Sequence, residues 1–476
     1  MIRRSLFVTG ILLLVATSVF ATGAGVMMQG FYWNCPSPWY PTMQAQASAL
    51  ANVAGGYGID RIWFPVAYKT ASGQSSMGYD PFDYYDLGTY SQNYGPGTHF
   101  GTASQLQSCI SAYHSAGIKC MEDVVLNHRS GGLSEYNPNT GGTTYTDFAN
   151  TQSGKCQWHY NEFHPSTFEY ADEGTFGGYP DICHATGNSP GHAYYDLIQW
   201  GKWLVTQGFD GGWRFDYCKG YHAWMTHDFI TNTGSPFSVA EYWDSVANIN
   251  NWVNAASGVS SAFDFPLLFL MATTCDDTTG NSGNMSSWVT SGQSWSATWP
   301  TKAVTFVSNH DTQPITSDAM LAYAFIMTYQ GYPCIYWEDY FNYGLAHGGG
   351  TGTTGWGNGI AQLLWCRGKL VNGGPTIQIL HNDNKVLVYS ASGTSASAPG
   401  YIVIINENGS AYPNWVGVSV QTGNSYLKNQ TLKAYAWSST ISGDNTDPNN
   451  QYCDGNGNVT VWAAPRGYAV YSVNGF

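Results

Sequence analysis

Short apolar segments recur from residue 25 to residue 339, with room for a helix between most of them. The segments that qualify as strand candidates are 25–33, 58–69, 117–128, 208–217, 237–243, 260–267, 303–311 and 333–339. Between them, apolar residues recur every three or four positions in 103–116, 193–207 and 319–329, which is typical of helices. Strand alternating with helix eight times predicts an α/β fold, the (β/α)8 TIM barrel.

Two parts of the chain depart from this alternation. Residues 129–190 are rich in Gly, Asn, Ser, Thr and Tyr. A bare connection of that length is unusual, so we expect a small inserted domain after the third strand. Residues 375–476 contain alternating runs separated by turn-forming residues, which predicts a C-terminal antiparallel β-sandwich. The barrel is then formed by residues 25–128 and 191–374.

The first 24 residues have the layout of a secretory signal peptide. Two arginines precede an apolar stretch from Ser5 to Phe20, and small residues follow at Ala21 and Ala24. The stretch is shorter than the roughly 20 residues that a membrane-spanning helix needs. We therefore expect a secreted, soluble protein with no membrane partner.

The low content of charged residues and the negative net charge limit the kinds of molecule that the protein can bind. Charged residues make up 10% of the chain and the net charge is −14, without a basic cluster. Nucleic acids and anionic membranes are bound through Lys and Arg, so neither is an expected partner. Aromatic residues make up 16%, and their flat faces can stack on sugar rings. A neutral polysaccharide fits this composition.

Ten cysteines in an exported chain predict some disulfides, although the pairing does not follow from the sequence. Cys120, Cys218 and Cys334 lie in apolar, strand-like runs. We expect these three to be buried free thiols.

Several ionisable and amide side chains lie at the ends of the predicted strands. In a barrel of this kind the active site forms at the carboxyl ends of the strands. The residues at those ends are Asp123, Asn127, His128, Arg214, Asp216, Glu241, His310 and Asp311. In a chain so poor in charge, acidic groups at the ends of four strands predict a catalytic centre.

Five segments in order resemble the signature segments of the α-amylase family of barrel glycoside hydrolases. They are GYDPFDYYDLG (78–88), DVVLNH (123–128), GGWRFDYCKGY (211–221), AEYW (240–243) and FVSNHD (306–311). The resemblance covers nearly the whole chain after the signal peptide. It implies an enzyme that hydrolyses α-1,4 bonds in starch and related α-glucans.

The resemblance also implies the catalytic roles. Asp216 is the expected nucleophile, Glu241 the general acid/base and Asp311 the carboxylate that stabilises the transition state. A retaining glycosidase needs an ionised and a protonated carboxyl about 5–5.5 Å apart. Arg214, on the same strand face as Asp216, can keep Asp216 ionised, and apolar neighbours can raise the pKa of Glu241. The matched substrate-binding residues are Tyr79, His128, Arg214, Lys219 and His310.

A calcium ion is implied at the junction of the barrel and the inserted domain. Its ligands would be the side chains of Asn127, Asp172 and Asp181 and the carbonyls of Gly174 and Gly220, and oxygen ligands suit calcium. Turn capping is the alternative for Asp172 and Asp181.

The segments DEGTFGGYPDIC (172–183) and PNWVG (413–417) are especially similar to archaeal members of the family. Those members hold zinc beside the calcium, and His164, Glu169 and Cys183 fall on the corresponding positions, with Glu169 in place of a histidine. These three residues could bind zinc together with a water. A disulfide between Cys156 and Cys183, or a free buried Cys183, is the alternative.

Three functions remain open from the sequence. The leading one is an endo-acting α-amylase, expected to be monomeric. The segment 323–337 also resembles exo-acting maltooligosaccharide-forming amylases. A non-catalytic starch-binding protein is the third, although the three intact carboxylates argue against it.

Overall fold

The computed structural model describes residues 25–52, 57–167, 176–277, 283–347, 359–371, 375–408, 415–438 and 448–476. The expected signal peptide, residues 1–24, lies outside the described residues, as do Glu169, Asp172 and Gly174. In the part of the chain that is described, no helix has both the length and the apolar character needed to cross a membrane.

Eight short parallel strands close into a barrel. They are β1 (Met27–Gln29), β2 (Arg61–Trp63), β3 (Lys119–Val124), β4 (Gly212–Phe215), β5 (Ser238–Ala240), β6 (Ser261–Phe263), β7 (Ala303–Phe306) and β8 (Tyr332–Tyr336). Each strand pairs with the next, and β8 pairs with β1 to complete the ring. Every strand overlaps one of the eight predicted segments, so the predicted barrel is confirmed.

The described helices pack around the barrel. They are α1 (Tyr40–Ala51), α2 (Ala103–Ser115), α3 (Ala193–Thr206), α4 (Ala223–Thr233), α5 (Val246–Ala255), α6 (Phe265–Cys275), α7 (Trp295–Thr298), α8 (Ala319–Thr328) and α9 (Ile360–Trp365). The three helices predicted from apolar periodicity are α2, α3 and α8. A capping box between Thr102 and Gln105 fixes the start of α2.

Burial on both faces explains the continuous apolar character of the barrel strands. Every residue of β4 is buried between the barrel interior and the surrounding helices. Gly212 opens β4 with a φ of 107°, and a Cβ there would lie 1.9 Å from the carbonyl oxygen of Phe237. A side chain at this position would therefore separate β4 from β5.

Arg129 anchors the long connection that follows β3. This connection contains a hairpin of Leu133–Asn137 and Gly142–Asp147 and a 3-10 turn, Tyr160–Glu162. The buried guanidinium of Arg129 lies 3.8 Å from the Phe148 ring centre and 4.7 Å from that of Trp158. It also donates to the carbonyls of Phe82 and Cys156. These contacts tie the connection to the barrel.

The C-terminal part is all β and antiparallel. Its strands are β9 (Ile377–Asn382), β10 (Val386–Ser395), β11 (Ala398–Asn406), β12 (Val416–Gln421), β13 (Gln430–Trp437), β14 (Gln451–Cys453), β15 (Asn458–Ala463) and β16 (Gly467–Val473). Six strands form one sheet in the order β9-β10-β11-β16-β13-β14, and β12 pairs with β15 in a second sheet. Residues of both sheets share one apolar core, as expected for a sandwich.

The ten cysteines are all free buried thiols, so the expected disulfides do not form in this structure. Cys120, Cys218 and Cys334 are buried thiols as predicted. Burial raises the pKa of Cys35 to about 12 and likewise that of Cys334. The thiols therefore act as small apolar groups of the core.

Candidate active site

The carboxyl ends of β3, β4, β5 and β7 bring the expected catalytic side chains together. Asp123 lies near the end of β3 and Arg214 lies within β4. Asp216 and Glu241 are the first residues after β4 and β5, and Asp311 follows β7 in a short loop. Parallel strands end on the same rim of a barrel, which is why residues so distant in sequence meet.

Arg214 links three carboxylates. Its Nη1 donates to Oδ1 of Asp123 over 2.9 Å and to Oδ1 of Asp216 over 2.8 Å. Its Nη2 lies 3.0 Å from Oε2 of Glu241. The Arg214 side chain is fully buried. The expected nucleophile and the expected acid/base are therefore held by one guanidinium, and its charge partly balances theirs.

The backbone fixes both carboxylates at the strand ends. The N–H of Asp216 donates to the carbonyl of Val124, and that of Glu241 donates to the carbonyl of Phe215. Tyr217 has a left-handed φ of 43°, and its N–H donates to Oε2 of Glu241 over 2.9 Å. A non-glycine residue in this conformation is uncommon, and here it accompanies a hydrogen bond to a carboxylate.

Burial and charge act in opposite directions on these carboxyl groups. Burial raises the pKa of Asp216 well above its usual value, while the Arg214 guanidinium lowers it. Arg214 therefore has the effect predicted from its place on the strand, but burial outweighs it. Burial, with the charge of Glu241, raises the pKa of Asp311 to about 7. Burial therefore favours the protonated forms of Asp216 and Asp311.

His310 is held between Gln29 and Asp311. Its Nδ1 lies 2.8 Å from Nε2 of Gln29, and its Nε2 lies 3.1 Å from Oδ2 of Asp311. Burial, with the positive charge of Arg214, lowers the pKa of His310 well below its usual value. A neutral ring that accepts from the Gln29 amide carries its proton on Nε2, towards Asp311.

Asp123 has a supporting role that the sequence did not reveal. Its Oδ2 accepts from Nε1 of Trp63 over 3.1 Å and from the Tyr79 hydroxyl over 2.8 Å, while its Oδ1 accepts from Arg214. Asp123 thereby orients both the Tyr79 ring, an expected substrate-binding group, and the Arg214 guanidinium. The alternation along β3 placed this side chain at the site but did not assign its partners.

Trp33 is a second residue that the sequence did not single out. Its indole is nearly parallel to the rings of Tyr79 and His310, with angles of 10° and 9° and centre distances of 6.1 and 6.0 Å. The side chain is 45% exposed. Trp33 therefore adds an accessible aromatic surface beside the buried carboxylates, suited to the apolar face of a sugar.

His128, one of the expected substrate-binding residues, is held by polar contacts and by two stacked rings. Its Nε2 lies 2.9 Å from the Tyr79 carbonyl and its Nδ1 lies 3.3 Å from the Asn127 amide. The rings of Phe176 and Tyr179 lie nearly parallel to the imidazole, at 4.9 and 5.2 Å. His128 is fully buried. The structure therefore places it as a packed, hydrogen-bonded support of Tyr79.

Lys219, another expected substrate-binding residue, contacts the residues that follow β5. Its ammonium donates to Oδ2 of Asp244 over 2.7 Å and to the Trp243 carbonyl, and its side chain is 41% exposed. The hydrogen bond from Lys219 lowers the pKa of Asp244 to about 2. Trp243 packs nearly parallel to Phe265, with the ring centres 4.7 Å apart.

Three of the expected calcium ligands lie together beside this site. His128 and Asp181 form a β-bridge, and the N–H of Ile182 donates to the Asn127 carbonyl. Among the described residues, Oδ1 of Asn127 is buried without a hydrogen-bond partner. A Cβ on Gly220 would lie 1.9 Å from this oxygen, so the position requires glycine. A buried amide oxygen of this kind fits a cation ligand.

The second metal site is not assembled by the described residues, which contain no group of three or more His, Cys, Asp or Glu able to hold a metal ion. Cys183 accepts a hydrogen bond from the Ser166 hydroxyl over 3.1 Å. It forms no disulfide with Cys156. Of the three alternatives for Cys183, the structure contradicts the disulfide, and Glu169 of the zinc alternative lies outside the described residues.

A closed parallel barrel with a pair of carboxyl groups at its carboxyl rim is compatible with glycoside hydrolysis. The catalytic-domain model of the α-amylase family matches residues 55–343. The chain therefore belongs to the α-amylase family.

Curated relatives agree with this assignment. The chain is 32% identical over 377 residues to an α-amylase of Geobacillus stearothermophilus, a match covering 67% of the chain and 66% of that protein, just under two thirds. It is 27% identical over 499 residues to a glucan 1,4-α-maltohexaosidase of Bacillus sp. strain 707, covering 92% of the chain and 90% of the relative.

A solved structure supports the fold alone. The α-amylase of Geobacillus thermoleovorans, solved with acarbose, has a TM-score of 0.63 to the present chain at 15% identity. The match covers 95% of the chain and 98% of that structure, so it includes the C-terminal sandwich.

Proposed function

We propose that the protein is a secreted, monomeric α-amylase that cleaves internal α-1,4 bonds of starch, glycogen and related glucans with retention of configuration. The observation that carries the proposal is the contact of one buried guanidinium, that of Arg214, with both Asp216 and Glu241. A retaining mechanism needs two carboxyl groups close together on either side of the scissile bond.

In the first step, an oxygen of Asp216 attacks the anomeric carbon and forms a glycosyl ester. The bond to the leaving oxygen breaks, and that oxygen takes a proton from Glu241. In the second step, Glu241 removes a proton from water, whose oxygen attacks the same carbon and releases Asp216. The two inversions give a product with the α configuration.

The neighbouring residues support this chemistry. Arg214 favours the ionised form of Asp216 against the opposing effect of burial. Asp311, with its Oδ2 beside Nε2 of His310, is placed to grip sugar hydroxyls and to stabilise positive charge at the anomeric carbon. Trp33 and Tyr79 offer ring faces to the sugars on the accessible side.

Calcium binding is part of the proposal. Asn127, Asp181 and the Gly220 carbonyl, together with Asp172 and Gly174, are the proposed ligands, and the unpartnered Oδ1 of Asn127 supports this assignment. The bound ion would neutralise acidic side chains and join the inserted segment to the barrel. Asn127 itself already positions His128, which in turn contacts Tyr79.

Exo-acting cleavage is the second candidate. Two relatives that match over most of the chain support it, the maltohexaosidase of Bacillus and a glucan 1,4-α-maltotetraohydrolase of Stutzerimonas stutzeri. A product time course from amylose and from an oligosaccharide blocked at its non-reducing end separates the two modes. Rapid loss of viscosity and cleavage of the blocked substrate support endo-action, whereas a single early product supports exo-action.

Product stereochemistry tests the retaining mechanism in the same reaction. Proton NMR of fresh products should show the α-anomer first, with the β-anomer formed later by mutarotation. An initial β-product would contradict the role of Asp216 as nucleophile.

A further inference from the structure

The small sheet of the C-terminal domain has one polar face that points to solvent. The β12–β15 register places Gly417 opposite Trp462, Ser419 opposite Thr460 and Gln421 opposite Asn458. Alternate residues of a strand share a face, so these six lie on one side. The other side of the sheet, with Val461 fully buried, packs into the sandwich core.

Trp462 lies flat at one end of this face. A Cβ on Gly417 would come within 2.7 Å of three atoms of the indole ring. The indole therefore packs on the backbone of Gly417, and a side chain at position 417 would displace it. Trp462 is 39% exposed. Gly417 ends the PNWVG segment (413–417), to which the catalytic reaction gives no role.

A groove of 510 Å³ borders the same sheet. Tyr452 and Asp454 line it with residues of both strands, and Tyr452 is 63% exposed. The hydroxyls of Ser419 and Thr460 lie 2.9 Å apart. Asn458 donates to Asp454 over 2.9 Å. Hydroxyl, amide and carboxylate groups thus line the groove together with the exposed Tyr452 ring.

We propose that this surface binds a chain of α-linked glucose units at a second site, away from the catalytic centre. The surface, which we name the outer platform, consists of Gly417, Ser419, Gln421, Tyr452, Asp454, Asn458, Thr460 and Trp462. This inference rests on the proposed function, because it takes the glucan substrate as the ligand. It adds a place where the enzyme holds the polymer while the barrel cleaves it.

The chemistry of the outer platform favours a neutral, narrow polymer. None of the described residues that line the groove is Lys or Arg, so phosphate groups would find no counter-charge there. The exposed indole and phenol faces suit the apolar faces of sugar rings. The hydroxyl, amide and carboxylate groups of the groove can form hydrogen bonds with sugar hydroxyls.

Adsorption to starch granules tests this proposal. The wild type, Trp462→Ala, Tyr452→Ala, Gly417→Val and Trp462→Phe are incubated with granules in the cold, and free protein is measured. Tyr145→Ala serves as the control, because Tyr145 is 66% exposed but lies on the hairpin after β3. Turnover of a soluble maltooligosaccharide and thermal unfolding are measured for every variant.

Loss of one stacking contact should weaken granule binding about five- to tenfold in Trp462→Ala and Tyr452→Ala. Gly417→Val should weaken it as well, because it displaces the indole, while Trp462→Phe and the control retain most binding. Soluble turnover should stay unchanged. Wild-type adsorption by Trp462→Ala would overturn the proposal. Sedimentation velocity is recorded for the same variants, and a change in sedimentation without a change in adsorption would indicate a second copy and would also overturn it. Absence of soluble turnover in the wild type would instead contradict the proposed function.

Discussion

The guanidinium of Arg214 donates a 2.9 Å hydrogen bond to Asp123, and neither side chain is exposed to solvent. The same Asp123 carboxylate accepts from Trp63 and Tyr79. Asp123, which is not one of the two proposed catalytic carboxyl groups, thus holds the Arg214 guanidinium in place. This contact leaves Arg214 oriented towards Asp216 and Glu241.

Asp123→Asn should destabilise the protein and lower activity. The substitution removes one of the three carboxylates that balance the buried Arg214, and loss of a hydrogen bond to a charged group costs about 1.5–3 kcal/mol. Urea unfolding and kcat measure the two effects. Asp210→Asn is the matched control, since Asp210 pairs with His114 at the surface and its side chain is 45% exposed. That variant should change stability by less than about 1 kcal/mol; an equal effect of both would refute the anchoring role of Asp123.

Asp216→Asn and Glu241→Gln should abolish starch hydrolysis while leaving the fold intact. Each change keeps the shape of the side chain but removes a carboxyl group that the double displacement requires. Loss of one member of such a unit lowers kcat by about 10⁴-fold or more. Circular dichroism and thermal unfolding check the fold. Activity near the wild-type level in either folded variant would contradict the assigned roles.

Asp311→Asn should change how stability depends on pH. The pKa of Asp311 is raised from 3.8 to about 7, by burial and by Glu241. Between these two values the folded state binds a proton that the unfolded state releases, so this group's contribution to stability is lost as pH rises towards 7. The asparagine stays neutral throughout. Its melting temperature, relative to the wild type, should be higher at pH 8 than at pH 5; a constant difference would show that Asp311 titrates normally.

Removal of calcium should lower the melting temperature and the activity together. A ligand that binds only the folded state stabilises it by about 2.7 kcal/mol at a hundred times its Kd. Excess chelator should reverse this effect, and added calcium should restore it. Asn127→Ala should respond weakly to chelator, since it lacks the proposed ligand oxygen. A wild-type melting curve that is unchanged in chelator would exclude a stabilising calcium.

Much of the barrel could be predicted from local sequence. Its strands are buried on both faces, so they appear as continuous apolar runs, and helices such as α2 carry their own periodicity and caps. The residues at the strand ends could be predicted too, because a parallel barrel fixes where those ends lie. The places of Gln29 and Trp33 in the site were not predicted. A polar residue in a strand and an aromatic residue in a loop have no distinctive spacing in the sequence.

The sequence by itself determined the order of strands and helices, the charges at the strand ends and the glycines at positions such as Gly220. Only the tertiary structure decided that Arg214 contacts three carboxylates, that His128 is enclosed by Phe176 and Tyr179, and that the thiols stay unpaired. The physical reason is that periodicity reports which face of a strand or helix is buried. The distances between side chains from different strands, and hence their charge state, depend on how the closed barrel packs.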